Sequence, residues 1–168
     1  RRQRQMCIRD SSNMAFHASR IDEYTDNADA DVVLALHACD TATDDALEWA
    51  VRHNAKVILS VPCCHHAVQA QLPEASLPDA LRLMTRHGIM RERFGDLLTD
   101  AMRAALLRQR GYRVDVIEFV SGEHTPRNLM IRAVKTGAAA DSDVAADLAV
   151  VTQQWGVSPP LQSRLVLE

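Results

Sequence analysis

At 168 residues the chain fits one domain and is long enough to bury a core. Apolar residues make up 47% and charged residues 24%, which excludes collagen-like and disordered classes; no apolar run approaches the ~20 residues of a membrane helix, so no membrane partner is expected. A formal charge of −3 argues against a dedicated nucleic-acid module and leaves room only for local basic patches. Cys7, Cys39, Cys63 and Cys64 follow no secretory signal and include an adjacent pair, so a reducing cytoplasmic setting is expected rather than a disulfide framework. The chain begins at Arg1 rather than Met, and Leu167-Glu168 resembles the scar of a C-terminal affinity tag, so 167–168 are left out of fold reasoning.

In chain order, Arg1 to Arg9 reads as a basic helix and Met14 to Ile21 as a short strand, followed by a polar loop from Asp22 to Ala30. Val32 to Leu36 is a continuous apolar run led by Asp31, as expected of a parallel strand covered on both faces. Thr43, Asp44 and Asp45 read as a helix cap and first turn, and Ala46, Leu47, Ala50 and Val51 as the buried stripe of a helix ending near Asn54. Val57 to Val61 is a second buried strand, making residues 31–61 a right-handed strand–helix–strand crossover. After Pro73 and Pro78, Asp79 to His87 and Glu92 to Arg110 read as helices, with Gly111 at the C′ position of the second.

In that second helix Phe94, Leu97, Leu98, Ala101 and Ala105 form the expected core side. Arg93, Asp96, Asp100 and Arg103, at spacings of three and four, read as a solvated face of weak ion pairs. Val114 to Val120 and Leu129 to Val134 form an antiparallel hairpin through Ser121–Arg127. An Ala-rich linker then leads to an amphipathic helix over Asp143–Trp155, where Val144, Leu148, Val151 and Trp155 recur at helical spacing. The resulting α/β order implies a Rossmann-like doubly wound sheet, mostly parallel with an antiparallel final hairpin, and ligands beyond the C-terminal ends of its parallel strands.

Both parallel strands finish in polar clusters: Leu36-His37-Ala38-Cys39-Asp40, and Val61-Pro62-Cys63-Cys64-His65-His66. If the strands are neighbours these tips share a rim, where an open α/β sheet places its site. The first cluster with the Thr41-Ala42-Thr43-Asp44-Asp45 run after it, the Pro62-Cys63-Cys64-His65 strand end, and the closing Glu118-Phe119-Val120 with Glu123-His124-Thr125-Pro126-Arg127-Asn128 together resemble a class I S-adenosylmethionine-dependent methyltransferase. More narrowly, they resemble the branch with paired Leu-His-x-Cys and Pro-Cys-Cys motifs, shared with methyltransferase-like and glutathione S-transferase C-terminal domain-containing proteins. The likeness spans residues 14–134.

The resemblance implies a sheet of order 3-2-1-4-5-7-6 with an antiparallel seventh strand, entered here at the third. It implies S-adenosylmethionine as cofactor in the full-length protein. The Gly-rich donor loop is not found, since Gly88 is the first glycine, so 1–136 reads as the C-terminal part of a methyltransferase domain, inactive alone, and 137–166 as a helical strap. Carried over by position, Arg20, Ile21 and Asp22 would contact the adenine, His37 and Ala38 would lie beside the donor methyl, and Asp40, Cys63 and His65 would face the acceptor. In-line methyl transfer needs at most one base, for which His37, His65 and Asp40 are candidates. His124, Arg127 and Asn128 would touch the acceptor, with RNA favoured by the resemblance and by the arginines between Arg82 and Arg113.

Two other classes compete. No metal is expected on the main reading, but His37, Cys39, Cys63, Cys64, His65 and His66 offer soft and imidazole ligands for zinc, with Cys39, Cys63, Cys64 and His65 the alternative set; against it, consecutive cysteines on a strand point to opposite sides. A non-catalytic scaffold with a methyltransferase-like fold is the other. Without the first two strands, Val32–Leu36 would be an exposed apolar edge, expected either to pair with the segment around Phe16 or to join two chains in a homodimer.

Overall fold

A computed structural model describes residues 14–24, 28–125, 127–139 and 141–165. The elements are β1 (Val32–Leu36), α1 (Thr41–Arg52), β2 (Val57–Val61), α2 (His66–Gln69), α3 (Arg82–Thr85), α4 (Gly88–Gln109), β3 (Tyr112–Glu118), β4 (Leu129–Lys135), α5 (Ser142–Ala149) and α6 (Pro160–Leu165). Single 3-10 turns lie at Leu72–Glu74 and Asp79–Leu81, and a π-helical turn at Val150–Gln154 continues α5.

The sheet order is β1-β2-β4-β3. β1 and β2 are parallel, with Val33 opposite Ile58, whereas β4 runs antiparallel to both β2 and β3. This is the order 4-5-7-6 that the resemblance implied for the later strands. The expectation of a mostly parallel sheet is corrected. Three strands point one way, but the reversed β4 lies between β2 and β3, so two of the three pairings are antiparallel.

The doubly wound expectation also changes. Along β1 the alternation is plain: Ala35 is buried, while Val32, Leu34 and Leu36 are 54–61% exposed. The continuous apolar run does not mean two covered faces. Among the described residues, helices cover the face of Ala35, Ile58, Ile131, Ala133 and Val114, and β1 leaves its other face to solvent. α1 buries Ala46, Leu47 and Ala50 there, and α4 buries Met102, Leu106 and Leu107. Val157, Leu161 and Leu165 bring the C-terminal segment into the same core, where α6 packs against α1.

The Met14–Ile21 strand is not formed. Met14, Phe16 and Ile21 are exposed, the segment makes no ladder, and it ends in a turn over residues 21–23. Nor does the Phe16 segment pair with β1, whose outer edge has no strand partner among the described residues. The basic Arg1–Arg9 helix lies outside the described residues. The helix expected over Asp79–His87 is broken into a 3-10 turn and the single-turn α3, with Leu83 and Met84 exposed. α4 starts four residues earlier than its periodicity suggests and ends as expected at Gly111, whose φ of +82° is the left-handed geometry that glycine adopts without penalty. No helix among the described residues is long and apolar enough to cross a membrane.

Candidate active-site rim

Because β1 and β2 are parallel neighbours in register from Val32/Val57 to Leu36/Val61, their C-terminal tips lie side by side. The two polar clusters therefore meet. His37 N–H donates to the Val61 carbonyl at 3.3 Å, and the Sγ atoms of Cys39 and Cys63 are 3.3 Å apart. His37 and Asp40 hold φ near +50°, a left-handed conformation that costs a non-glycine residue about 1–2 kcal/mol and gathers at functional sites.

Several contacts stabilise that turn. The buried Thr43 hydroxyl donates to the Ala38 carbonyl at 2.7 Å, Thr43 N–H donates to the Asp40 carbonyl at 3.1 Å, and Arg103 Nη2 donates to the same carbonyl at 2.9 Å. The Asp40 carboxylate does not cap its own helix. It accepts from Ala67 N–H at 3.0 Å, clamping the first turn of α2 to the β1 tip. Thr43 and Asp44, read from sequence as a helix cap, instead face inward and are fully buried.

Under the rim lies a buried ionic network. Arg103, with no exposed surface, makes a two-pronged bond to Asp44 (Nε–Oδ1 2.8 Å, Nη2–Oδ2 3.0 Å) and a third bond to Asp100 at 3.1 Å. Burial alone would push its guanidinium pKa down; the hydrogen bond to Asp44 and the charges of Asp44 and Asp100 more than offset this and hold it above its ordinary value. His65 joins the network through Nε2 to Asp100 at 2.9 Å and Nδ1 to Asp96 at 3.2 Å. Asp96 also accepts from Gln69 of α2 and from Arg127 of the β3–β4 loop. The solvated-face reading of α4 is thus overturned for three of its four residues: Asp96, Asp100 and Arg103 are buried, and Leu97, assigned to the core, is 57% exposed. The charges share one face, as their spacing predicts, but that face turns inward, where Asp44 of α1, His65 at the β2 tip and Arg127 of the hairpin loop bond it, while Phe94 and Leu98 of the apolar side still pack against the core.

The remaining candidates divide. His37 and Cys39 are exposed on the rim, Ala38, Asp40, Cys63 and Cys64 are half-buried there, and His65 is buried with both ring nitrogens engaged. Burial, helped by Cys39 and Cys64, pushes the Cys63 thiol up to about 12. Arg127 reaches the network, Asn128 braces its own loop by donating to the Val120 carbonyl at 3.0 Å, and His124 is exposed at the loop tip.

Arg20, Ile21 and Asp22 are not brought to the rim. They form an exposed turn in which Arg20 holds both carboxylate oxygens of Asp22, lowering its pKa, and Arg20 and Ile21 share a shallow cleft with His17, Tyr24 and Trp49. Trp49 lies eight residues along α1 from the rim, about 12 Å at 1.5 Å per residue.

Sequence reasoning missed Asp44, Asp96, Asp100 and Arg103 as site-building residues. The signal present was Gly95 and Thr99 on the same side of α4 as the charges. Small residues there mark a close helix approach, and Gly95 lies against Gln69 and Leu72.

A cleft of about 150 Å³ opens between the β2 tip and the start of β4, lined by Pro62, His65, Arg93, Asp96, Leu97, Asp100, Arg127 and Leu129. Comparison with curated proteins and with solved structures returned no match. The family model described as a methyltransferase domain matches residues 1–71, a stretch that contains β1, α1, β2 and both tips of the rim, so this part of the chain is similar to a methyltransferase domain.

Proposed function

We propose that the chain carries the catalytic rim of an S-adenosylmethionine-dependent methyltransferase, with the donor methyl beside the His37–Asp40 turn. The observation that carries the reading is the parallel, in-register pairing of β1 with β2, which brings the two polar tips together within the stretch similar to the methyltransferase domain. On this reading His37, exposed and strained at the β1 tip, is the base or the positioning group, and His65 and Asp40 set the shape of the rim. The acceptor group enters the cleft between Pro62 and Leu129, whose volume suits one six-membered ring, with Arg93 and Arg127 flanking it as cations for an RNA phosphate.

Methyl transfer here is chiefly a matter of alignment, since the sulfonium already carries a good leaving group and the rim must present donor and acceptor in line. The test is amide NMR with millimolar S-adenosylhomocysteine, which detects weak binding. Shifts concentrated at residues 37–43 and 61–66, and lost in His37→Ala, are expected. Shifts absent from these tips, or unchanged in that variant, would overturn the assignment.

A further inference from the structure

The three described cysteines form one cluster. Cys39 Sγ lies 3.3 Å from Cys63 Sγ, Cys63 Sγ lies 3.7 Å from Cys64 Sγ, and all three sulfurs fall within 4.8 Å of one another. Consecutive cysteines diverge on a strand, but β2 ends at Val61 and Pro62 to His65 follow no strand geometry, so the neighbouring thiols of Cys63 and Cys64 converge instead of alternating. The third sulfur arrives from a different strand end, on a turn fixed by two left-handed residues and by the bonds to Thr43 and Arg103. A cluster drawn from two strand tips and held by a buried network is preorganised in a way that surface cysteines are not.

We infer that Cys39, Cys63 and Cys64 form a three-thiolate site for a thiophilic divalent cation of the zinc class at the junction of the two strand tips. Sulfurs about 2.3 Å from a tetrahedral zinc stand about 3.8 Å apart, close to the 3.7 Å edge between Cys63 and Cys64. The Cys39–Cys63 edge opens by a few tenths of an ångström on binding, and the exposed Cys39 side chain is free to make that adjustment. Three sulfur donors select a soft cation over magnesium or calcium. Among the described residues no fourth histidine, cysteine or carboxylate joins the three sulfurs, and Cys39 is exposed, so the fourth position takes water or a heteroatom of a bound molecule, as at metal sites that keep an open position. On binding, three S–H bonds become three S–metal bonds and the protons pass to solvent.

His65, part of the set weighed from sequence, is not a ligand, since both of its nitrogens are engaged, Nε2 with Asp100 and Nδ1 with Arg127 and Asp96. The inference stands apart from the methyltransferase reading: it needs neither donor nor acceptor, and its test reads only metal.

The full 168-residue chain, reduced and stripped with a chelator, is titrated with Co(II) as the spectroscopic stand-in for zinc. The expected result is one equivalent bound, with a thiolate-to-cobalt charge-transfer band and the intense visible bands of a tetrahedral site, bleached by one equivalent of zinc and untouched by magnesium. Cys39→Ser, at an exposed position that the fold tolerates, weakens zinc binding by more than the roughly 10–100-fold typical of an outer-shell change, as does Cys64→Ser. Cobalt uptake without the charge-transfer band, zinc binding unchanged in Cys39→Ser or Cys64→Ser, or a thiol count showing that Cys39 and Cys63 close a disulfide in preference to taking metal would each overturn the inference.

Discussion

Replacing Arg103 with Met tests whether the buried network holds the rim. The guanidinium makes four hydrogen bonds: two to Asp44, one to Asp100 and one to the Asp40 carbonyl. Bonds to charged partners contribute roughly 1.5–3 kcal/mol each, but desolvation of the ions and side-chain ordering offset most of that gross sum. What remains decisive is the state left behind. Asp44 is fully buried and Asp100 nearly so, and without Arg103 they become two carboxylates with no cation between them. Breaking a buried pair in this way costs about 3–5 kcal/mol, a large part of the ~5–15 kcal/mol that holds a domain folded.

In urea, with a slope of about 2 kcal/mol/M, the midpoint of Arg103→Met should fall by roughly 1.5–2.5 M. The double variant Asp44→Asn/Arg103→Met removes the stranded charge along with its partner, so it should lose less than the sum of the two single changes by at least about 1 kcal/mol. A loss below about 1 kcal/mol in the single variant, or strict additivity in the double, would refute the network as the element that holds the β1 tip.

Three further outcomes follow from particular residues. Tyr112 is buried on β3 and donates to the Ala55 carbonyl at 2.8 Å, and burial raises its pKa above the usual ~10, so the folded chain keeps the proton longer than the unfolded one. Stability from this group is therefore complete below pH ~10 and falls as pH rises through the folded value; Tyr112→Phe should flatten that alkaline decline while costing about 1 kcal/mol at neutral pH, which denaturation at both pH values would check. Gly95→Ala should destabilise by about 1–3 kcal/mol despite the better helix propensity of alanine, because its Cβ would stand 2.7 Å from Gln69 Cγ and 3.1 Å from Leu72 Cδ1; Gly88→Ala, with open space around it, should show no loss in thermal melts. The β1 edge, which has no strand partner among the described residues, and its exposed Val32, Leu34 and Leu36 should make the chain self-associate in sedimentation runs, and Leu34→Lys should shift it to monomer; a wild-type chain that is monomeric at high concentration would contradict this.

Much of the fold was legible because its signals are local. The Val32–Leu36 and Val57–Val61 runs, the stripe of Ala46, Leu47 and Ala50, and Gly111 after a long amphipathic stretch each state their element within a few residues. What local pattern does not carry is the neighbourhood of a strand. Alternation on β1 separates Ala35 from Val32, Leu34 and Leu36 only once one face is covered, and a run that is apolar at every position says nothing about which face that is. The same limit explains Met14–Ile21: Met14, Phe16 and Ala18 alternate as in a strand, but a strand exists only where a neighbouring edge accepts its hydrogen bonds.

The candidate site was legible to the extent that it consists of strand ends, and illegible where it consists of paired charges. Parallel neighbours with polar tips must converge, and Cys39 and Cys63 do. Asp96, Asp100 and Arg103 have the same spacing whether they face water or each other, because helical periodicity fixes only that they share a face. The choice is made by residues far away in sequence: Asp44 on α1, His65 at the β2 tip and Arg127 in the hairpin loop supply charges and bonds that make burial tolerable. A charged stripe on a long helix therefore belongs inside whenever the fold can bring it compensating partners, and here the partners come from the segments that form the rim. The groups that make the rim polar and the groups that make it rigid are thus one connected set, so a change in α4 should be felt at the tips of β1 and β2.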